Sequence, residues 1–461
     1  MTLPLPHQPL ADILDEDRYC LRMAQAHLAD GRTHESTVEL FLRKPPAQRG
    51  YLVAAGLDEA LKVLQDGAVP AEALAWLQAE QHPSGRRVYT DEFLRWLGAF
   101  RFTGDVDAVP EGTIVPAGVP LLRLRGPLPE VTLVETVMLS ILNQQVGAAT
   151  KAARIVQAAG DLPAWEFGAR RAHGPQAGLL TARAAWIAGF AGTSLERAGY
   201  RYGIPVTGTT AHAWILEFGG PEGELEAFRV WLRDNPEGSV LLIDTFDVAE
   251  GARNAARAAR DTGVPLLGVR IDRDPLGPLA AEVRAILDAE GLPNARIFVS
   301  GDLDEHRITA LRDFTGAVDV LCIGTKLAVV EDAPSTGAVY KTVERHAPDG
   351  PRYVAKRQAG KPSVPGAHQA WRGPDGDVLC LVEETWPRTA GMRALLEPAL
   401  RRGERVGIGT EPLQAARDRC ATELATLPPA AGRLVDPEPL PLAHSEVLVR
   451  LTAEVRGTTL A

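Results

Sequence analysis

The residues best suited to chemistry stand at the carboxyl ends of successive short apolar runs. His212 closes the segment Gly208-Thr209-Thr210-Ala211-His212, with the hydroxyls of Thr207, Thr209 and Thr210 around it. A histidine so placed can serve as a general base, a metal ligand or a nucleophile. Alone it would more often be structural. No second histidine stands near it at metal-ligand spacing, which argues against zinc. Asp244, Asp247, Asp272 and Asp274 follow the apolar runs at 241–243 and 266–271. Acids there suit magnesium beside a diphosphate, held directly or through water. Any one of them could instead cap a helix. Arg270 stands inside the second run and needs an anionic partner, because a lone buried charge is costly.

Two further runs end in glycine turns: Ser300-Gly301-Asp302-Leu303-Asp304 and Gly324-Thr325-Lys326. In α/β barrels the turns after late strands form phosphate cups from backbone N–H groups. Gly168-Ala169-Arg170-Arg171 offers two guanidinium groups that can pair with carboxylate or phosphate, or that simply form a solvated turn. Ala191-Gly192-Thr193-Ser194 ends in small hydroxyl residues that a ligand can approach closely, or that cap a helix.

These groups need elements to hold them. Residues 202–206 read as a short apolar strand leading to the histidine segment. From 160 to about 383 strand-like and helical stretches alternate, as in the helix at 249–262 closed by Gly263. Repeated strand–helix units imply a parallel sheet, here closing into a barrel with its reactive ends on one face. Before it, helices are predicted at 10–30, 57–66, 70–81 and 91–100, and a strand at 38–42. Turns at 110–112 and 116–118 mark a small antiparallel sheet. A long amphipathic helix is predicted at 131–159, and a domain boundary near Gly126. Beyond Pro387 the chain reads as helical at 391–402, 412–427 and 445–455.

A chain of 461 residues is too long for one compact core. Its 45% hydrophobic and 23% charged residues are those of a globular protein. A formal net charge of -10 and no long basic run argue against nucleic acid. No apolar run is long enough to span a membrane, and the first residues lack a signal-peptide pattern, so a cytoplasmic enzyme is expected. Cys20, Cys322, Cys380 and Cys420 are too scattered for a disulfide framework or a zinc knuckle.

Taken together, the segments resemble the nicotinate phosphoribosyltransferase family. The matching stretches run in order from Tyr19-Cys20-Leu21-Arg22 through Phe167-Gly168-Ala169-Arg170-Arg171, Gly192-Thr193-Ser194 and Gly208-Thr209-Thr210-Ala211-His212. They continue with Asp244-Thr245-Phe246-Asp247, Arg270-Ile271-Asp272, Ser300-Gly301-Asp302-Leu303-Asp304-Glu305 and Gly324-Thr325-Lys326-Leu327. Val339-Tyr340-Lys341 and Lys361-Pro362-Ser363 complete the series.

The resemblance implies an α/β fold. An irregular α/β barrel of the type II phosphoribosyltransferase kind, residues 127–384, joins an α/β sandwich domain, residues 1–126 completed by 385–461. It implies a homodimer with shared active sites that joins nicotinate to phosphoribosyl pyrophosphate, giving nicotinate mononucleotide and pyrophosphate. ATP hydrolysis through a phosphohistidine and Mg2+ would support the reaction, within NAD salvage. By position, His212 is then the phosphorylated histidine. Tyr19 and Phe167 cover the two faces of the pyridine ring. Arg170, Ser194, Thr209 and Arg270 surround the pyridine carboxylate and the ribosyl donor. Asp244 and Asp272 stand beside the ribose, diphosphate and magnesium, and Ser300, Gly301, Gly324 and Thr325 cradle the 5′-phosphate.

Two departures stand out. Arg273-Asp274-Pro275 follows Asp272 where the family continues Ser-Gly-Asp: either the loop is rebuilt with Arg273 turned to solvent, the reading that Pro275 favours, or Arg273 enters the donor site and alters donor affinity or ATP coupling. Glu16-Asp17-Arg18 replaces the commoner Thr-Asp-Leu before Tyr19. Three rival readings remain. A nicotinamide phosphoribosyltransferase would carry an acid near Ser194. A quinolinate phosphoribosyltransferase would be much shorter and more basic at its site. A non-catalytic nucleotide-sensing barrel would have no use for His212 and the acids.

Overall fold

The structure is a computed structural model that describes residues 12–314, 316–356, 363–384 and 392–457. Lys361 and Pro362 of the resemblance lie outside the described residues. The chain forms two compact units, Met1–Thr150 with Ser335–Ala461, and Lys151–Pro334.

The first unit is built on a seven-stranded sheet. The strand Glu35–Leu42 is nearly all buried and lies between Leu122–Pro127 and Ala338–Ala347, antiparallel to both. Val38, Leu40 and Leu42 on it join Leu61, Leu64, Leu122 and Leu124 in one core. The C-terminal part completes the sheet, because Glu397–Arg401 pairs with Asp105–Ala108. Helices Leu57–Asp66 and Asp91–Gly98 present strongly apolar faces to that core.

Three features differ from expectation. The unit boundaries fall near 150 and 334 instead of 126 and 384, because Val131, Val137, Met138, Leu142 and Val146 pack in the first unit's core and Ala338–Ala347 pairs with Glu35–Leu42. The stretch read as a helix at 391–402 holds strands Arg393–Ala394 and Glu397–Arg401. Leu395, Leu396, Ala399 and Leu400 imitate a helical stripe, while Pro398 sits at a register shift in an antiparallel pair. The long helix is divided at Val134 into Leu128–Leu133 and Glu135–Ala159.

The second unit carries a parallel sheet of six strands. We number them β1 (Ala164–Glu166), β2 (Gly192–Thr193), β3 (Val240–Leu242), β4 (Gly268–Ile271), β5 (Arg296–Val299) and β6 (Val320–Ile323). They lie in the order β2-β1-β6-β5-β4-β3. Strands β3, β4 and β6 are buried throughout, as expected of a sheet covered on both faces.

The segment 205–210 connects the two edge strands. Thr193 N donates to Pro205 O at 3.0 Å and Thr207 N to Thr193 O at 3.0 Å, beside β2. Thr210 N then donates to Val240 O at 3.1 Å, and the Thr210 hydroxyl accepts from Leu242 N at 2.7 Å, beside β3. An irregular stave thus closes an irregular α/β barrel. The residues 202–206 read as a strand form only the isolated bridge Thr193–Val206, because helix Glu196–Tyr202 ends at Gly203 in the left-handed region.

Candidate active site

The parallel strands of the second unit all point their carboxyl ends the same way. The closing stave delivers His212 to that face, at the start of the short helix His212–Leu216. Its imidazole is 46% exposed. Nδ1 lies 3.1 Å from the Thr245 hydroxyl, and Nε2 lies 4.0 Å from Asp244 Oδ1. His212 therefore faces the end of β3 from the neighbouring stave.

From there a continuous polar string crosses three strand ends. Asp244 Oδ2 accepts the Asp272 N–H at 2.6 Å, and Asp272 Oδ1 accepts the Ser300 hydroxyl at 2.8 Å. Arg270, buried on β4, stands 3.8 Å from Asp272 Oδ2 and is the anion-seeking cation expected there. Asp244 is buried, and its Oδ1 accepts no hydrogen bond among the described residues. Burial pushes its carboxyl above the ordinary value, against the opposing effects of the Asp272 N–H and His212.

The turns after β5 and β6 supply backbone. Gly301 has φ 110° and Asp302 φ 48°, both in the left-handed region that favours glycine. Asp304 caps the next helix through the His306 and Arg307 N–H groups at 3.0 and 2.8 Å. Gly324 and Thr325 begin the turn after β6 and are half-buried.

On the opposite side Phe167 and Gly168 follow β1. A side chain at Gly168 would meet Gly324 O at 2.8 Å and Ala328 Cβ at 2.7 Å, so this approach of two loops requires glycine. Ser194 is half-buried after β2. Arg170 is exposed on the one-turn helix Ala169–Arg171, and the Thr209 hydroxyl donates to Thr210 O at 2.8 Å. Tyr19 lies in the first unit, on helix Arg18–Ala29, and is 47% exposed.

Arg273 is exposed. Asp274 accepts from the Arg307 guanidinium at 2.5 Å, joining the loop after β4 to the helix Glu305–Ala310. Asp272 itself stays turned toward the Ser300 hydroxyl.

A nicotinate phosphoribosyltransferase of Mycobacterium tuberculosis is 37% identical over 445 residues, covering 95% of this chain and 93% of the relative. The chain belongs to the nicotinate phosphoribosyltransferase family. It is an enzyme of that family. The Bacillus subtilis nicotinate phosphoribosyltransferase is 36% identical over 80% of this chain and 76% of its own length. The family model for the nicotinate phosphoribosyltransferase N-terminal domain matches residues 14–143. The crystal structure of human nicotinic acid phosphoribosyltransferase superposes with a TM-score of 0.82 at 26% identity, covering 97% of this chain and 99% of that one. The fold is accordingly the type II phosphoribosyltransferase fold.

One residue of this face had no assigned part in the sequence reading. Glu166, 1% exposed at the end of β1, accepts from the Thr193 hydroxyl at 2.6 Å and from the Gly168 N–H, while its carbonyl accepts from Ser194 N at 2.8 Å. It ties the Phe167 loop to the Ser194 loop. Burial raises its carboxyl, partly offset by Thr193 and Gly168. An acid directly after a strand tryptophan was its only sequence signal.

Proposed function

We propose that the chain joins nicotinate to phosphoribosyl pyrophosphate, giving nicotinate mononucleotide and pyrophosphate, with ATP hydrolysis coupled through a phosphohistidine at His212. The observation that carries this reading is the string His212, Asp244, Asp272 and Ser300 across adjacent strand ends. The relatives named for this activity across nearly the whole chain support it.

In this mechanism the pyridine nitrogen attacks the anomeric carbon of the donor. The new N–C bond forms as the C–O bond to diphosphate breaks, and the electron pair leaves with diphosphate. The attacking lone pair carries no proton, so no base is required. Positive charge grows on the ribose ring, where the Asp244 and Asp272 carboxylates stabilise it. Arg270 opposes the negative charge of the leaving group. Phe167 positions the ring, and Arg170, Ser194 and Thr209 face the pyridine carboxylate and donor. Ser300, Gly301, Gly324 and Thr325 hold the 5′-phosphate through backbone and hydroxyl donors.

His212 is left free for ATP. A ring nitrogen takes the γ-phosphoryl group as the bond to ADP breaks, and water later releases phosphate. Exposure of the ring and its 4.0 Å separation from Asp244 Oδ1 suit that role.

The residues also fit Mg2+. Asp244 Oδ1 is a buried acceptor without a donor among the described residues. No group of three or more His, Cys, Asp or Glu side chains stands ready to hold a metal among the described residues. Magnesium commonly uses one or two carboxylates with water and substrate phosphates, so Asp244 and Asp272 would hold it together with the diphosphate. When bound it would neutralise charge on the leaving group.

The neutral Ser194 favours a carboxylate substrate over an amide, since an acid there would repel nicotinate. We further propose a cytoplasmic homodimer in which Tyr19 of the partner subunit stacks on the pyridine, with a place in NAD salvage. Among the described residues no helix is long and apolar enough to cross a membrane. Incubating purified protein with nicotinate and phosphoribosyl pyrophosphate, with and without ATP, tests the reading. Nicotinate mononucleotide should form in both and faster with ATP, and no mononucleotide in either would overturn it.

A further inference from the structure

Beneath the two glycine turns lies a buried ionic cluster to which the mechanism assigns no part. Glu305, the residue after the capping Asp304, is 0% exposed. Its Oε2 stands 2.6 Å from Lys151 Nζ, and its Oε1 accepts from Arg154 Nε at 2.9 Å. Lys151 and Arg154 lie one turn apart on the helix Glu135–Ala159 and are 2% and 0% exposed. Lys151 Nζ also stands 3.1 Å from Asp332 Oδ1.

The connectivity is what gives this cluster meaning. Glu305 opens the helix that follows the Ser300–Asp304 turn after β5. Asp332 follows the Gly324–Ala328 turn after β6. One ammonium group thus contacts the segment that follows each of the two turns proposed to hold the phosphate. The first of these loops contains two left-handed residues, Gly301 and Asp302, a conformation that persists only when its surroundings fix it. Burial alone would raise the Glu305 carboxyl, but Lys151 and then Arg154 outweigh it and hold it below its ordinary value. Three ionised groups out of water cost more than an apolar core of the same volume, so stability alone is a poor reason to keep them.

We infer that Glu305, clamped by Lys151 and Arg154 and linked through Lys151 to Asp332, is a positioning residue that sets the spacing of the two loops around the 5′-phosphate. The inference rests on the proposed function, and it concerns recognition of the phosphate alone. Its readout is the preference for nicotinate mononucleotide over nicotinate riboside, two ligands that differ only in that group.

Calorimetric titration of the purified full chain with both ligands tests it. The wild type should bind the mononucleotide more tightly. Glu305→Gln and Lys151→Met should weaken mononucleotide binding about tenfold, the order found when supporting partners of a binding group are lost, and leave riboside binding within about twofold. Asp332→Asn, at a side chain 33% exposed, keeps the Glu305 ion pairs intact. It should show a smaller loss of the same kind and serves as the test if the buried variants do not fold. Equal weakening of both ligands, or unchanged mononucleotide binding in folded Asp332→Asn and Glu305→Gln, would overturn the inference while leaving the function intact. A wild type that does not prefer the mononucleotide would overturn the proposed function, and this inference with it.

Discussion

Asp272 donates its backbone N–H to Asp244 Oδ2 at 2.6 Å while its own carboxylate accepts from Ser300. The acid that ends β3 is thereby fixed by the backbone after β4, which is fixed in turn by the hydroxyl after β5. Three strand ends share one geometry, so a change at any of them reaches the other two.

Asp244 should show the cost of that arrangement. Its carboxyl is raised by burial, so the folded chain binds this proton more tightly than the unfolded one. Stability contributed by the neutral acid is present at low pH and is lost as pH rises through the raised value. Asp244→Asn cannot ionise. Its melting temperature relative to wild type should therefore be higher at pH 8 than at pH 4, while activity falls by about 100-fold or more. Melting curves at both pH values check this, and an equal offset at both contradicts it.

His212→Ala should abolish ATP stimulation and leave a slow ATP-independent reaction. Incubation with γ-labelled ATP should give acid-labile, base-stable label on wild type only. Equal labelling of the variant would remove His212 from the ATP step.

Much of this face was legible because buried parallel strands are continuous apolar runs whose next residue is polar. The ends of β3 to β6 and their residues Asp244, Asp272, Ser300 and Gly324 could be read that way. The closing stave could not, since 205–210 bonds to its neighbours at single positions and has no strand period. Glu166 and Glu305 were likewise hidden, because their partners Thr193, Lys151 and Arg154 are 27, 154 and 151 residues away or lie on other elements. The stretch 393–401 failed for the opposite reason, with a helical spacing of leucines overridden by Pro398 and by sheet pairing.

Ser194→Asp should lower kcat/KM for nicotinate far more than for nicotinamide. The new carboxylate would face that of nicotinate, whereas an amide N–H could donate to it. The selectivity change should be about 2–3 kcal/mol, as for unpaired or like-charged groups in a site. Unchanged selectivity would place Ser194 away from the ring substituent.

Arg273→Ser should alter the KM for phosphoribosyl pyrophosphate and for ATP by little, within about 0.5 kcal/mol, because Arg273 is exposed. Asp272→Asn should be severely impaired. Titrating both phosphate substrates against the two variants separates these outcomes, and a large effect at Arg273 with none at Asp272 would invert the assignment.

The most direct test of the account is kcat/KM of the purified wild-type chain for nicotinate, nicotinamide and quinolinate, each with phosphoribosyl pyrophosphate and ATP. Nicotinate mononucleotide should form from nicotinate with a preference of about 100-fold or more over the other two pyridines. Faster turnover of nicotinamide or quinolinate, or no product from nicotinate, would contradict it.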